Sequence, residues 1–130
     1  MAYSVAYSTT PTTATSTTEK SILALPAVQY APTGNYQGVL VGGMLNFTVG
    51  GTGATMVVTI RNGSGTSGTA IGQPMTVNTT AAQTFTVPIS VVDTTNPPAS
   101  QYNITLTGGA SANGSHVANQ AFIWVDPVVL

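Results

Sequence analysis

The stretch QTFTVPISVV, residues 83–92, alternates apolar and polar side chains almost without interruption. Phe85, Val87, Ile89 and Val91 fall at every second position, with Thr, Pro or Ser between them. Successive side chains of a β-strand point to opposite faces, so this repeat of two predicts a strand with one buried face. A strand with one apolar face needs neighbouring strands to pair with it and a second layer to cover that face.

Other segments of the chain show the same repeat or a short apolar run. We predict strands within 21–28, 36–49, 54–60, 101–107 and 120–130. No window carries the apolar stripe of an amphipathic helix, and Gly, Pro and Asn turn signals separate the segments. The pattern predicts an all-β fold, a jelly-roll-like antiparallel β-sandwich. The last segment is apolar on both faces, which predicts a central strand or one buried between subunits.

The first 18 residues differ from the rest in composition. The run STTPTTATSTT (8–18) has neither charge nor hydrophobic period, as in segments that do not fold alone. Tyr3, Val5 and Tyr7 precede it and would share one face of a strand. A disordered tail and an arm that becomes ordered on a neighbour are both open interpretations. We predict the extended N-terminal arm (1–18), with these three residues as its contacts, followed by a sandwich domain (19–130).

A glycine pattern suggests a nucleotide site at first sight. Gly63, Gly65 and Gly68 form GxGxxG directly after a predicted strand. In a dinucleotide-binding fold those glycines lead into a helix whose N-terminus receives the pyrophosphate. Here Gly72 and Pro74 follow within a few residues, so no helix can begin. The stretch 61–74 is predicted to be a hairpin loop.

The charge content excludes several classes of partner. The chain of 130 residues has two basic and three acidic side chains. Nucleic acids and anionic membranes are held by clusters of Lys and Arg, so we expect neither as a partner. No cysteine is present, which excludes disulfides and thiolate metal sites. The opening residues lack the basic and apolar regions of a secretory signal, so we expect a protein that is made in the cytoplasm and either works there or leaves the cell by another route.

Few residues could carry chemistry. His116 is the single histidine, and a nucleophile such as Ser115 beside it would need Asp93 or Asp126 to orient the base. We therefore expect a protein that is not an enzyme. Asp93 and Asn96 could contribute to a Ca²⁺ site, but an Asp at a turn more often caps it through its own hydrogen bonds. We expect no metal site and no cofactor.

Five segments match the N-x-Ser/Thr glycosylation sequon. The candidate acceptors are Asn46, Asn62, Asn78, Asn103 and Asn113. Two lie on the polar sides of predicted strands and three in predicted turns, so all five are expected to be exposed. Asn and Thr are also ordinary surface and turn residues, and that explanation stays open.

The region from Glu19 onward resembles the short virion proteins that decorate phage capsids or tip their fibres, and among these the trimeric jelly rolls of tumour-necrosis-factor or C1q type. The resemblance is carried by LNFTVGGTGATMVVTIRNGSGTSGTAIGQP (45–74), by TFTVPISVVDTT (84–95) and by YNITLTGGASANGS (102–115), followed by the apolar last strand. It implies a trimer with an apolar axis, bound to a major capsid protein or another virion protein at the virion surface. It also implies the role of a capsid decoration protein that stabilises the shell.

The apolar end of the chain has more apolar surface than one core needs, and burial between protomers would remove it from water. We predict a subunit interface formed by Phe122, Ile123, Val125, Val128, Val129 and Leu130.

Two other functions remain open. One is a host-recognition or carbohydrate-binding module of a fibre or spike, in which Tyr30, Tyr36 and Tyr102 would stack on sugars. The other is an extracellular filament subunit linked to its neighbours by donated N-terminal strands.

Overall fold

The alternating segments form β-strands that pack as two antiparallel sheets, in a computed structural model of the chain. The structure describes residues 4–15, 18–25, 36–49, 55–63, 65–78, 83–94, 101–108 and 115–129. Within these ranges the strands are β1 (Ser4–Ser8), β2 (Thr12–Thr15), β3 (Lys20–Leu25), β4 (Tyr36–Val49), β5 (Thr55–Asn62), β6 (Thr69–Asn78), β7 (Gln83–Asp93), β8 (Tyr102–Gly108) and β9 (Ser115–Val129). None of the described residues forms a helix long and apolar enough to cross a membrane.

The strand order is that of a jelly roll. The five-stranded sheet runs β1–β9–β4–β7, with β2 following β1 along the same edge of β9. The four-stranded sheet runs β3–β8–β5–β6. All pairs are antiparallel, and most connections carry the chain from one sheet to the other. The predicted all-β jelly-roll-like sandwich is confirmed.

The core lies between the sheets and consists of the residues that the repeat of two assigns to one face. In β7, Val87 and Ile89 are buried, while their neighbours Thr86, Pro88 and Ser90 are exposed. The largest fully buried apolar and aromatic side chains come from both sheets: Tyr102, Phe47, Leu45, Met56, Ile60, Ile104, Leu106 and Ile123. Removing these surfaces from water is the main favourable contribution to folding.

The N-terminal segment differs from its prediction. Its described residues are not an arm outside the sandwich, because β1 and β2 pair with β9 of the same chain. Residues 4–15 form the first strands of the jelly roll, and the division of the chain after residue 18 stays a prediction. The low-complexity composition does not predict these strands. The neighbouring strand β9 supplies the apolar side chains, and the backbone groups at its edge need hydrogen-bond partners that a segment of small polar residues can provide.

The glycine-rich stretch is a hairpin, shorter than predicted. β5 and β6 pair directly, and the connection between them is Gly63–Gly68. Gly63 and Gly65 have positive φ angles of 122° and 57°, a conformation that favours glycine. The residues from Thr69 onward continue as β6 rather than as loop.

Candidate interaction surface

The outer face of the five-stranded sheet carries an apolar patch. Strand register places Tyr7, Phe122, Met44 and Pro88 in one cross-strand row. A second row contains Val5, Trp124 and Gly42, and a third contains Leu40 and Val92 beside Asp126. We call the apolar members the apolar corner: Val5, Tyr7, Leu40, Met44, Pro88, Val92, Phe122 and Trp124. Tyr7 is 76% exposed, Val92 52% and Val5 47%.

Trp124, the single tryptophan of the chain, occupies the centre of this patch. Its indole covers Gly42 on the neighbouring strand so closely that no β-carbon fits beneath it. Glycine in the middle of a strand weakens it, and an aromatic ring laid across the gap restores packing. The ring is half-buried and belongs to the outer face.

The other half of the same face is polar and internally hydrogen-bonded. The Asn46 Nδ2 donates to Oγ1 of Thr86 at 2.9 Å, and the hydroxyls of Thr48 and Thr84 lie 2.9 Å apart. The Asn119 Nδ2 reaches both Asn46 Oδ1, at 2.9 Å, and Thr48 Oγ1, at 3.0 Å. These polar groups already bond one another. If another protein covered them and removed water, few would be left without a hydrogen-bond partner.

Asp126 is the charged residue of the outer face at the end of the apolar corner. It lies opposite Leu40 in the register of β9 and β4. Its Oδ1 is buried and finds no hydrogen-bond partner within the described part of the chain. Because this oxygen has no accessible surface, a docked neighbour cannot reach it, and Asp126 marks the end of the apolar corner.

The predicted subunit interface is wrong in two of its members. Ile123 and Val125 are fully buried, because they project from β9 into the sandwich core rather than to its surface. Phe122 lies on the outer face, where an interface can form. β9 includes Val128 and Val129, whose side chains the structure does not describe, and Leu130 lies outside the described residues.

The contacts predicted for the arm are placed as follows. Val5 and Tyr7 share the outer face, as their spacing indicates, beside Trp124 and Phe122 respectively. Tyr3 lies outside the described residues. Sequence reasoning missed that these side chains join Trp124 in one patch. FIWV (122–125) is apolar at every position, so the sequence carries no local signal of which side chains face outward.

The sequon asparagines do not all lie at the surface. Asn103 is 1% exposed and both ends of its amide are engaged: Ser21 Oγ donates to its Oδ1 at 2.9 Å, and its Nδ2 donates to the carbonyl of Gly63. The prediction that Asn103 is exposed is therefore wrong. Asn78 is exposed, whereas Asn46 and Asn62 are half-buried, and Asn113 lies outside the described residues.

A polar cluster explains the burial of Asn103. The outer face of the four-stranded sheet places Arg61 directly opposite it on β5. The Arg61 Nε and Nη2 donate to the two carboxylate oxygens of Glu19 at 2.6 and 2.9 Å, and Nη1 donates to the carbonyl of Gly68 at 2.8 Å. These bonds from Arg61 hold the pKa of Glu19 below its usual value, helped by Thr105 and opposed by burial. The ion pair fixes the chain just before β3.

The residues considered for catalysis do not come together. His116 lies opposite Val49 at one end of β4, while Asp93 lies opposite Val39 at the other end. Ten residues of strand separate them by roughly 30 Å. Asp93 instead accepts a hydrogen bond of 2.8 Å from the hydroxyl of Tyr102. His116 is fully buried, and burial lowers its pKa.

Of the three tyrosines considered for sugar stacking, the structure describes the side chain of Tyr102. Tyr102 is fully buried, so it cannot contact a ligand at the surface. The side chain of Tyr36 is not described, and Tyr30 lies outside the described residues, as does Asn96 of the considered Ca²⁺ site. Within the described residues, no three His, Asp or Glu side chains are grouped to hold a metal ion.

Known proteins share this fold without close sequence similarity. No family model matches the chain, and no curated protein matches its sequence. The VP2 subviral particle of infectious bursal disease virus superposes with a TM-score of 0.57 at 14% identity, over 98% of this chain and 33% of that one. The T=1 particles derived from that virus give 0.57 at 15% identity, over 96% and 32%. Its Gx strain gives 0.55 at 13% identity, over 95% and 32%.

The chain thus spans about a third of the length of these viral proteins. Identities this low establish the shared architecture and nothing about partners. The expected likeness to viral β-sandwich proteins is confirmed at the level of the fold, while the trimeric tumour-necrosis-factor or C1q type remains a prediction. The chain is an antiparallel jelly-roll sandwich of the architecture found in these viral capsid structures.

Proposed function

We propose that this chain is a structural protein of a virus particle, a capsid decoration protein that binds the shell as a trimer and stabilises it. The observation that carries the proposal is a jelly roll, shared with viral capsid proteins over nearly its whole length, that leaves an apolar corner on its outer face. The protein works without catalysis or a cofactor, and its place is the virion surface.

The size and chemistry of the apolar corner suit a protein contact. Its three rows across four strands cover roughly 400 Å² of sheet. This footprint includes Gly42, Ser90 and Asp126, so its apolar surface is smaller, and apolar patches of about a few hundred Å² on a soluble domain often mark interaction sites. Asp126 is the charged residue beside the patch, so the apolar corner favours an uncharged partner surface. A stable complex buries about 800 Å² on each side, so a second contact has to supplement the patch.

Binding to shells tests the proposal. Particles lacking the protein are mixed with the purified chain, and the bound fraction is measured by co-sedimentation. Tyr7→Ser combined with Trp124→Ser is expected to weaken binding at least about tenfold, the effect of losing 1.4 kcal/mol at an interface. Thr84→Ser on the polar half of the same face is the matched control and should bind like the unchanged protein. Equal binding by all three proteins, each checked for folding, would overturn the proposed attachment surface.

A host-recognition module is the second candidate, and one observation favours it. Trp124 lies across the sheet next to Phe122 in β9, both half-buried on the outer face, and the exposed Tyr7 lies opposite Phe122. Such a surface can stack on the apolar face of a sugar ring. Titration with neutral oligosaccharides, followed by the fluorescence of this single tryptophan, distinguishes the candidates. Saturable quenching supports recognition, and an unchanged spectrum on a broad glycan panel removes it.

A further inference from the structure

We propose that β1 of one copy pairs with β9 of a second copy, so that neighbouring subunits are joined by exchange of their first strand. The inference rests on the proposed assembly into a multimer, and it names both the segment that joins the copies and the edge that receives it. The partner is a second copy of this chain.

β1 contributes little to the core that it borders. Its inward side chains are Ser4, Ala6 and Ser8, and of these Ala6 packs against the buried cluster. Its larger side chains, Val5 and Tyr7, point outward. β3, at the corresponding edge of the other sheet, buries Leu23 and Leu25 instead. Ser4 is buried and Ala6 packs on the core, but no large apolar side chain anchors β1 there, so its departure would uncover little apolar surface of its own.

β9 cannot do without a strand at this edge. Five residue pairs, from Ser4 opposite Val125 to Ser8 opposite Ala121, join β1 to it. Unpaired backbone groups beside a buried strand cost free energy comparable to lost hydrogen bonds. The same segment from a second copy restores every one of these pairs. Exchange of identical elements therefore changes the contacts within each fold very little, which makes it a low-cost route to oligomers.

The connection after β1 is suited to act as a hinge. Thr9, Thr10 and Pro11 are all exposed. The turn is held by a hydrogen bond of 3.2 Å from the Thr10 N–H to Ser8 Oγ. Proline disfavours the helical conformation in the residue before it, so Pro11 biases Thr10 toward the extended form that an exchanged strand requires.

The chain beyond the hinge is anchored twice. β2 pairs with β9 from Thr12 opposite Ala118 to Thr15 opposite Ser115. Glu19 is then fixed by its ion pair with Arg61. These anchors confine the exchange to β1 and keep the two copies close together.

The register of the exchanged strand is specified by side-chain size. Small residues face the core, while Val5 and Tyr7 complete the apolar corner beside Trp124 and Phe122. A slip by one residue would turn Tyr7 toward the core and is therefore disfavoured. Exchange in one direction around a ring closes at a small number of copies, three under the proposed function, whereas exchange that does not close produces a filament.

Disulfide trapping tests the exchange, and the absence of natural cysteine makes the result clean. Ser8→Cys with Ala121→Cys places two thiols on directly opposed residues, whose Cα separation in an antiparallel pair suits a disulfide. After mild oxidation of the assembled protein, most of the chain is expected to run as covalent multimers on a non-reducing gel. The control pair Thr12→Cys with Ala118→Cys, in β2, should give monomers with an internal disulfide.

Isotope mixing identifies the bond. Equal amounts of ¹⁵N-labelled and unlabelled chain are refolded together, oxidised and cut with trypsin after Lys20 and Arg61. Disulfide-linked peptides that join light to heavy chains confirm the exchange. An internal disulfide in the Ser8 and Ala121 variant, or free thiols at both positions, would overturn it. Presence of the chain on virions is measured separately, so a failure here leaves the proposed virion role standing.

Discussion

The indole of Trp124 and the backbone of Gly42 are in such close contact that a β-carbon on Gly42 would stand 2.3 Å from Cζ2 and 2.4 Å from Cε2 of the ring. The glycine of β4 and the tryptophan of β9 are opposed in the strand register and form one unit. This unit sets the position of the aromatic ring at the centre of the apolar corner. The absence of a side chain at Gly42 therefore determines how Trp124 lies on the surface that we propose as the attachment site.

Gly42→Ala is expected to push the indole outward, because the ring is the mobile end of a side chain on an open face. We expect a red shift of tryptophan fluorescence and a loss of about 1 kcal/mol in the free energy of unfolding. Gly43→Ala is the comparison, since a β-carbon there would lie 2.0 Å from the backbone oxygen of Phe122, and its φ is 151°. That variant should lose about 3 kcal/mol or more, measured by urea unfolding. Equal losses for both variants would contradict the assigned packing.

The ion pair of Glu19 and Arg61 should contribute to the free energy of unfolding at neutral pH and lose that contribution in acid. Because the pKa of Glu19 is lowered in the folded chain, mainly by the bonds from Arg61, its contribution is complete above the usual value of 4.5 and declines as the pH falls through the folded pKa. The stability difference between the protein and Arg61→Met is expected to be about 1 kcal/mol larger at pH 7 than near pH 2. At pH 2 the variant still lacks the bond from Arg61 to the Gly68 carbonyl, which does not titrate. Glu19→Gln is the matched control. A difference that does not change with pH would argue against the ion pair.

His116 should make the protein less stable in mild acid. Burial lowers its pKa in the folded state, so the unfolded chain binds a proton first as the pH falls below the usual value of 6.5. Stability is therefore highest above that value and decreases toward the folded pKa. Urea midpoints at pH 7.5, 6.5 and 5.5 measure the decrease, and His116→Gln should remove it. Parallel curves for the two proteins would show that another group is responsible.

Asn103 and Asn78 should behave oppositely as glycosylation acceptors. Asn103 is buried and its amide bonds Ser21 and Gly63, whereas Asn78 is exposed at the end of β6. When the chain is produced through a eukaryotic secretory pathway, peptide mapping is expected to find glycan at Asn78 and none at Asn103 in folded protein. Asn103→Ala should cost about 2 kcal/mol, because it leaves buried polar groups without their partner. A fully occupied and stable Asn103 would contradict the cluster.

Alternation alone predicted the strands that make the core. In β4, Leu45, Phe47 and Val49 are buried and the polar residues between them face outward, as their spacing indicates. Where every residue of a segment is apolar, alternation does not predict which side chains face the core. β9 is apolar at every position from 121 to 125, so only strand pairing shows that Ile123 and Val125 face inward while Trp124 faces outward.

The polar regions were the least predictable. β1 and β2 carry no alternation that would predict a core strand. Their place at the edge of β9 requires backbone pairing and small inward side chains rather than large apolar ones. Asn103 occupies a position that alternation assigns to solvent. It is buried because Ser21 and Arg61, distant in sequence, come to lie beside it across the sheet. Contacts between residues so far apart leave no local signal in the chain.

The central claim is that this chain is a structural component of a virus particle. Its most direct test is the amount of the chain, relative to the major capsid protein, in particles purified through successive density gradients and measured by quantitative mass spectrometry. We expect a fixed ratio that persists through every purification step. A chain that is absent from the particles, or whose ratio falls with each gradient, would contradict the proposed function.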